Sequence, residues 1–269
     1  MMRNEYMKFF GFTKEPFRSD ISTKEILVTP SVKGISERIQ YAIHLGAIAL
    51  VTGEIGNGKS TALRYAVKDL SIAKYRIINV VASSGSIIEL YQLILSELGI
   101  HVGSNSRAVM SRQIKKEILE TVHEKVKTLL IIDEASILRP DVFSELHTLT
   151  QFGNDSQPFL PIVLAGQSSL VDNLKHRSSL PLTSRIVGKS HLKAINLKTM
   201  KQYLIHHLSI AGVNQDIFED AAVTAIHQGA CGLLRKGNNL ARGSIIAAHK
   251  SQSATVTTEH VRIAATEIF

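Results

Sequence analysis

The sequence predicts an α/β protein: a parallel five-stranded sheet flanked by helices, followed by an all-helical C-terminal unit. Two observations carry this. Short apolar runs bounded by turn residues alternate with stretches of helical spacing as far as about Leu197. Beyond Leu197 only helical periodicity remains. The composition, 44% hydrophobic and 20% charged, is that of an ordinary globular chain and excludes disorder.

Residues 1–45 read as an ordered arm and a first helix that pack on the core. "FFGFTKEPF" and "VTPS" mix aromatic residues with turn formers, and residues 36–45 have helical spacing. "AIALVTG" is a buried strand ending in Gly, and "STALRYAV" continues as a helix. "YRIINVVA" is the second strand. "IIELYQLILSELGI" and "SRQIKKEILETVHEKV" follow as amphipathic helices. "TLLIIDEA" is the third strand, and "RPDVFSELHTLTQF" is a helix with Pro140 in its first turn. "FLPIVLAG" is the fourth strand and "SHLKAINL" the fifth. Residues 46–197 thus form the sheet core. Residues 198–269 form a helical lid built from "KTMKQYLIHHLSIAG", "DIFEDAAVTAIHQG", "LLRKGNNLARGSIIAAHK" and "TTEHVRIAATEI".

The stretch from Gly53 to Ser60, "GEIGNGKS", fits G-x-x-x-x-G-K-[ST] without a mismatch, between a strand and a helix. Glycines let the backbone wrap phosphates closely with its N–H groups turned inward. Gly53, Glu54, Ile55, Gly56, Asn57, Gly58, Lys59, Ser60 and Thr61 are therefore candidates to hold ATP. Lys59 would reach the β- and γ-phosphates, and Ser60 would hold Mg²⁺. About 75 residues on, "LLIIDEAS" ends a strand in two carboxylates. Asp133 can hold Mg²⁺ through water, and Glu134 is placed to polarise an attacking water. Gln167, in "LAGQSSL", would lie between the two strand ends and could orient that water. Arg185 precedes the fifth strand, where it could face the nucleotide of a neighbouring subunit as an arginine finger; Arg177 competes for that role. Arg235 opens a helix and could reach the γ-phosphate of its own subunit.

"GEIGNGKST", "LLIIDEAS", "VLAGQSSL", "SRI" and "GLLRKGNNL", in this order, resemble the AAA+ ATPases. The opening "YMKFFGFTKEPF" with "VTPS" is similar to the ExeA/GspA-type branch. The resemblance implies an ASCE P-loop sheet with a helical lid, Arg185 at the arginine-finger position, Arg235 at the sensor-2 position and Gln167 at the sensor-1 position. The branch holds secretion-pathway ATPases and short soluble ATPases of transposable elements. "GLLRKGNNLARGSIIAA", "HVRIAATEIF" and an end directly after the lid resemble the second kind, the IstB, Mu B and TnsC regulators of DDE transposases. "SSL" after Gln167 departs from the Pro usual among secretion relatives.

The net charge of +8 is uneven. Up to Asp172 there are 19 Lys and Arg against 18 Asp and Glu, or +1; from Asn173 onward there are 12 against 5, or +7. Such asymmetry favours a polyanionic partner. Two basic groups could touch double-stranded DNA: Arg107, Arg112, Lys115 and Lys116, and Lys175, Arg177, Lys189 and Lys193. The expectation is an ATPase, slow and stimulated by DNA or a partner. It would form a homo-oligomeric ring or helical filament on DNA and recruit or activate a DDE-type transposase. The alternative is the ATPase module of a type II secretion envelope assembly. One cysteine, Cys231, and no apolar run of about 20 residues point to the cytoplasm and no membrane segment.

Overall fold

The computed structural model describes residues 2–101 and 103–267. Its elements run α1 (Met2–Phe10), α2 (Pro30–Leu45), β1 (Ile48–Gly53), α3 (Lys59–Val67), β2 (Tyr75–Val81), α4 (Ile87–Glu97), α5 (Arg107–His123), β3 (Lys127–Asp133), α6 (Pro140–Thr150), β4 (Ile162–Gly166), α7 (Ser169–Lys175), α8 (Leu180–Thr183), β5 (Ile186–Leu192), α9 (Leu197–Ile210), α10 (Asp220–Ala230), α11 (Leu234–Lys250) and α12 (Thr258–Glu267). They form two units. One holds residues 28–53 and 59–192; the other holds residues 1–27, 54–58 and 193–269.

The first unit is the sheet. Its five strands are parallel, in the order β2-β3-β4-β1-β5. Alternation along β3 feeds both faces. Leu130 and Ile132 join a core with Ile94 of α4, Ile114 of α5 and Phe143 of α6. Leu129 and Ile131 join Ile39 of α2 and Leu63 of α3 on the other side. The expected five strands and flanking helices are all present. Helix α2 starts earlier than its periodicity suggested, because the Thr29 hydroxyl accepts from the Val32 N–H at 3.3 Å and Pro30 presets the first turn. Strand β5 is displaced: it covers residues 186–192 rather than 190–197. Its register against β1 sets this, with Ile48 opposite Ile186 and Gly53 opposite Leu192. The short helices α7 and α8 had no sequence signal of their own.

The second unit is helical. Tyr6, Phe12 and Phe17 of residues 1–27 are buried with Met200, Leu204, Leu208, Phe218, Ile226 and Ile245. The arm thus groups with the C-terminal helices, where the sequence placed residues 1–45 with the sheet. Hydrogen bonds to its main chain fix it: Thr13 N–H donates to the Ala211 carbonyl at 2.8 Å, and the Arg242 side chain donates through Nη2 to the Phe17 carbonyl at 2.8 Å. Residues 216–219, expected to be helical, are extended instead. Phe218 bridges Val256, and Glu219 N–H donates to the Val256 carbonyl at 3.1 Å. The helix expected over 257–268 starts at Thr258, and its last residue lies outside the described residues.

His207 of α9 is 2% exposed, stacked on Phe17 at 5.5 Å and close to Tyr203 at 4.4 Å. Burial, reinforced by His206, pushes its pKa from the ordinary 6.5 down to about 4. The unfolded chain therefore binds this proton more tightly than the folded one. The stability so contributed is present above about pH 6.5 and is lost as pH falls from there toward 4. A gap of that size corresponds to about 3 kcal/mol. Thermal midpoints of the wild type are expected to fall steeply across this window, and those of His207→Phe to fall less. Parallel slopes would rule out His207 as the cause.

Candidate active site

The sheet order sets the site. β4 lies between β1 and β3, with Leu164 level with both Leu50 and Ile132. The carboxyl ends of three neighbouring parallel strands therefore present Gly53, Asp133 and the Gly166–Gln167 turn side by side. In open parallel sheets ligands bind beyond these ends.

Lys59 begins α3. Its side chain is buried, at 6% residue exposure, and Nζ donates to the Gly53 carbonyl at 2.9 Å. The Ser60 hydroxyl, one residue on, donates to Asp133 Oδ2 at 2.7 Å. A hydroxyl and a carboxylate held together are hard oxygen donors, and they fit Mg²⁺ bound with water and phosphate. The N-terminal end of α3 adds a helix end of the kind that favours anions.

Glu134 follows directly. Its N–H donates to Asp133 Oδ1 at 2.9 Å, and its carbonyl accepts from the Ile137 N–H at 3.0 Å. These bonds hold it at φ 53°, a left-handed conformation that a residue with a Cβ adopts rarely and at a cost of about 1 kcal/mol or more. Among the described residues its carboxylate has no hydrogen bond or ion pair. A carboxylate so held is available to a water.

The Gln167 N–H donates to the Ser136 hydroxyl at 3.3 Å, and Asn173 Nδ2 donates to the Ser136 and Leu138 carbonyls, each at 3.1 Å. Ser136 and Asn173 thus position the turn that carries Gln167. The sequence reading missed both, because an isolated Ser after "DEA" and an Asn on a short helix carry no pattern.

In the helical unit, residues 54–58 run beside the start of α11. The Arg235 N–H donates to the Gly56 carbonyl at 3.1 Å. Gly56 and Gly58 have φ of 83° and 86°. A Cβ on Gly56 would lie 2.8 Å from the Cβ of Arg235, so both the backbone angle and this close approach require glycine. Ile55 is exposed and Asn57 buried.

Arg185 immediately precedes β5, and its carbonyl accepts from the Ile48 N–H at 3.1 Å. Its guanidinium forms an ion pair with Asp155, a partner the sequence did not suggest. The basic candidates divide into two kinds. Arg107 pairs with Glu145, Lys116 with Glu120 and Lys175 with Asp172. Lys115 Nζ donates to the Gln151 carbonyl at 3.2 Å, and desolvation lowers its pKa. Arg112, Arg177, Lys189 and Lys193 are exposed and have no acidic partner among the described residues.

Residues 43–174 match a protein family described as "AAA domain". Over 265 residues the chain is 25% identical to general secretion pathway protein A of Aeromonas hydrophila, covering 98% of this chain and 48% of that protein. It therefore spans about half the length of this relative. The fold is similar to that of Cdc6p from Pyrobaculum aerophilum, with a TM-score of 0.73, 15% identity, and coverage of 94% of this chain and 70% of that one. It is also similar to that of the Aeropyrum pernix ORC1 protein in complex with DNA, with a TM-score of 0.72, 19% identity, and coverage of 94% and 68%. No described helix is long and apolar enough to cross a membrane. Sheet order and strand-end chemistry agree with the match of residues 43–174 to an AAA domain, and the likeness to the solved structures shows the fold.

Proposed function

We propose that the chain is an ATP-dependent, DNA-binding regulator of DNA transposition. It assembles on duplex DNA and recruits or activates a DDE-type transposase. The observation that carries the DNA contact is the set of exposed cations Arg112, Arg177, Lys189 and Lys193, which have no acidic partner among the described residues. Arg107, Lys115, Lys116 and Lys175 are already engaged, so a phosphate would have to displace a carboxylate or a carbonyl. The likeness to ORC1, a protein solved with DNA, and the +7 of residues 173–269 support the same reading.

In this reading the loop from Gly53 to Thr61 holds ATP, with Lys59 against its terminal phosphates. Ser60 and Asp133 hold Mg²⁺, which when bound withdraws charge from the phosphates. Glu134 takes a proton from the attacking water and Gln167 orients that water. Arg235 reads the nucleotide from its own subunit. Arg185 reaches the nucleotide of a neighbouring copy in a ring or filament.

The test is duplex DNA binding by the full chain across a salt series, with and without a non-hydrolysable ATP analogue. The expected result is tighter binding with the analogue. Log K should fall against log[salt] with a slope of about −0.9 per phosphate contact, made shallower in Arg177→Glu/Lys189→Glu. If the analogue changes neither affinity nor assembly, the reading fails.

The 25% likeness along 98% of the chain to a secretion-pathway protein favours a second reading, an ATPase module of an envelope assembly. That reading expects ATP turnover indifferent to DNA.

A further inference from the structure

We propose that Asp155 is a tether: it holds the Arg185 guanidinium on its own subunit until a phosphate on a second copy of the chain takes it. This rests on the reading of Arg185 as a residue that acts on a neighbour's nucleotide.

The pairing is asymmetric. The Arg185 side chain is 24% exposed and that of Asp155 is 46% exposed. The contact runs through Nη2 alone, so a guanidinium with five donors is only partly used. Asp155 lies in the connection between α6 and β4, where Gly153, Asn154 and Asp155 take φ of 52°, 55° and 69°. Three successive left-handed residues, of the types that tolerate this conformation best, make the turn from which the Asp155 carboxylate meets Arg185. His147 of α6 lies within reach of both charges. Its Nδ1 is buried and has no hydrogen-bond partner among the described residues. Its pKa is lowered, by burial first and then by Arg185. The charge that balances Arg185 comes from Asp155.

A half-exposed ion pair is weak and exchangeable. A phosphate binds a guanidinium through two parallel bonds and carries more charge, so it displaces the carboxylate. A lone subunit then keeps its arginine neutralised, and only a docked copy with nucleotide releases it. Asp155 accordingly sets how much protein is needed for activity, and leaves the rate of the full assembly unchanged.

The experiment is ATP turnover per subunit against subunit concentration, with duplex DNA, for the full chain. Asp155→Asn is expected to lower the half-saturating concentration about two- to fivefold, the range of a surface pair, with the plateau unchanged. Asp155→Glu should stay near wild type, which separates loss of charge from loss of fold. Glu97→Gln removes the same charge from α4 and should not move the curve. Arg185→Ala should lose turnover, and Asp155→Asn/Arg185→Ala should match it. If Asp155→Asn leaves the curve in place or lowers the plateau while Arg185→Ala still loses turnover, the tether is wrong and the reading of Arg185 stands. If Arg185→Ala turns over like wild type, the reading of Arg185 fails and the tether falls with it.

Discussion

Replacing Glu134 with Gln is expected to leave ATP bound and to lower turnover by about 10²- to 10⁴-fold, the usual contribution of a positioned general base. Gln keeps the length and the Cβ of Glu. The left-handed backbone at φ 53° and the bond from the residue 134 N–H to Asp133 Oδ1 are therefore preserved at the same cost. What is lost is the carboxylate, which can take a proton. The Ser60–Asp133 contact and the buried Lys59 are untouched. Phosphate release under single-turnover conditions checks the chemistry, and binding of a fluorescent ATP analogue checks the site. Phosphate release at the wild-type rate would remove Glu134 from the mechanism.

Lys59→Ala should act on binding. Its ammonium is enclosed at the start of α3, donating to the Gly53 carbonyl at 2.9 Å. Loss of a charge-assisted bond to phosphate costs about 1.5–3 kcal/mol, so ATP affinity is expected to fall on the order of 10- to 100-fold. At an ATP concentration that saturates the wild type, the variant should also show a smaller rise in thermal midpoint. A midpoint that still rises equally with ATP would mean that Lys59 does not contact nucleotide. The two variants separate cleanly: Glu134→Gln keeps the full ligand shift with turnover lowered, whereas Lys59→Ala weakens the ligand shift itself.

The motif-bearing strand ends were legible in the sequence because their signals are local. An apolar run closed by Gly53, another closed by Asp133 and Glu134, and a third closed by Gly166 each mark a buried parallel strand. The helices on both sheet faces followed from period alone. Other features were settled by distant partners. Residues 1–27 looked like part of the sheet unit until Phe12 and Phe17 found their burial among Met200, Leu204 and Phe218. The limits of β5 come from pairing with β1, and the extended stretch at Phe218 comes from Val256. Ser136, Asn173 and Asp155 were invisible for the same reason, since each matters only through a residue 30 to 37 positions away.

The five residues 54–58 have a consequence of their own. Flanked in sequence by the last residue of β1 and the first of α3, they group with the helices. The Gly56 carbonyl is capped by the Arg235 N–H of α11. Amide protection in such a segment follows the cooperative element that holds it. The turn at residues 54–58 should therefore share the protection of α11, so that a change loosening the start of that helix also speeds amide exchange in this turn.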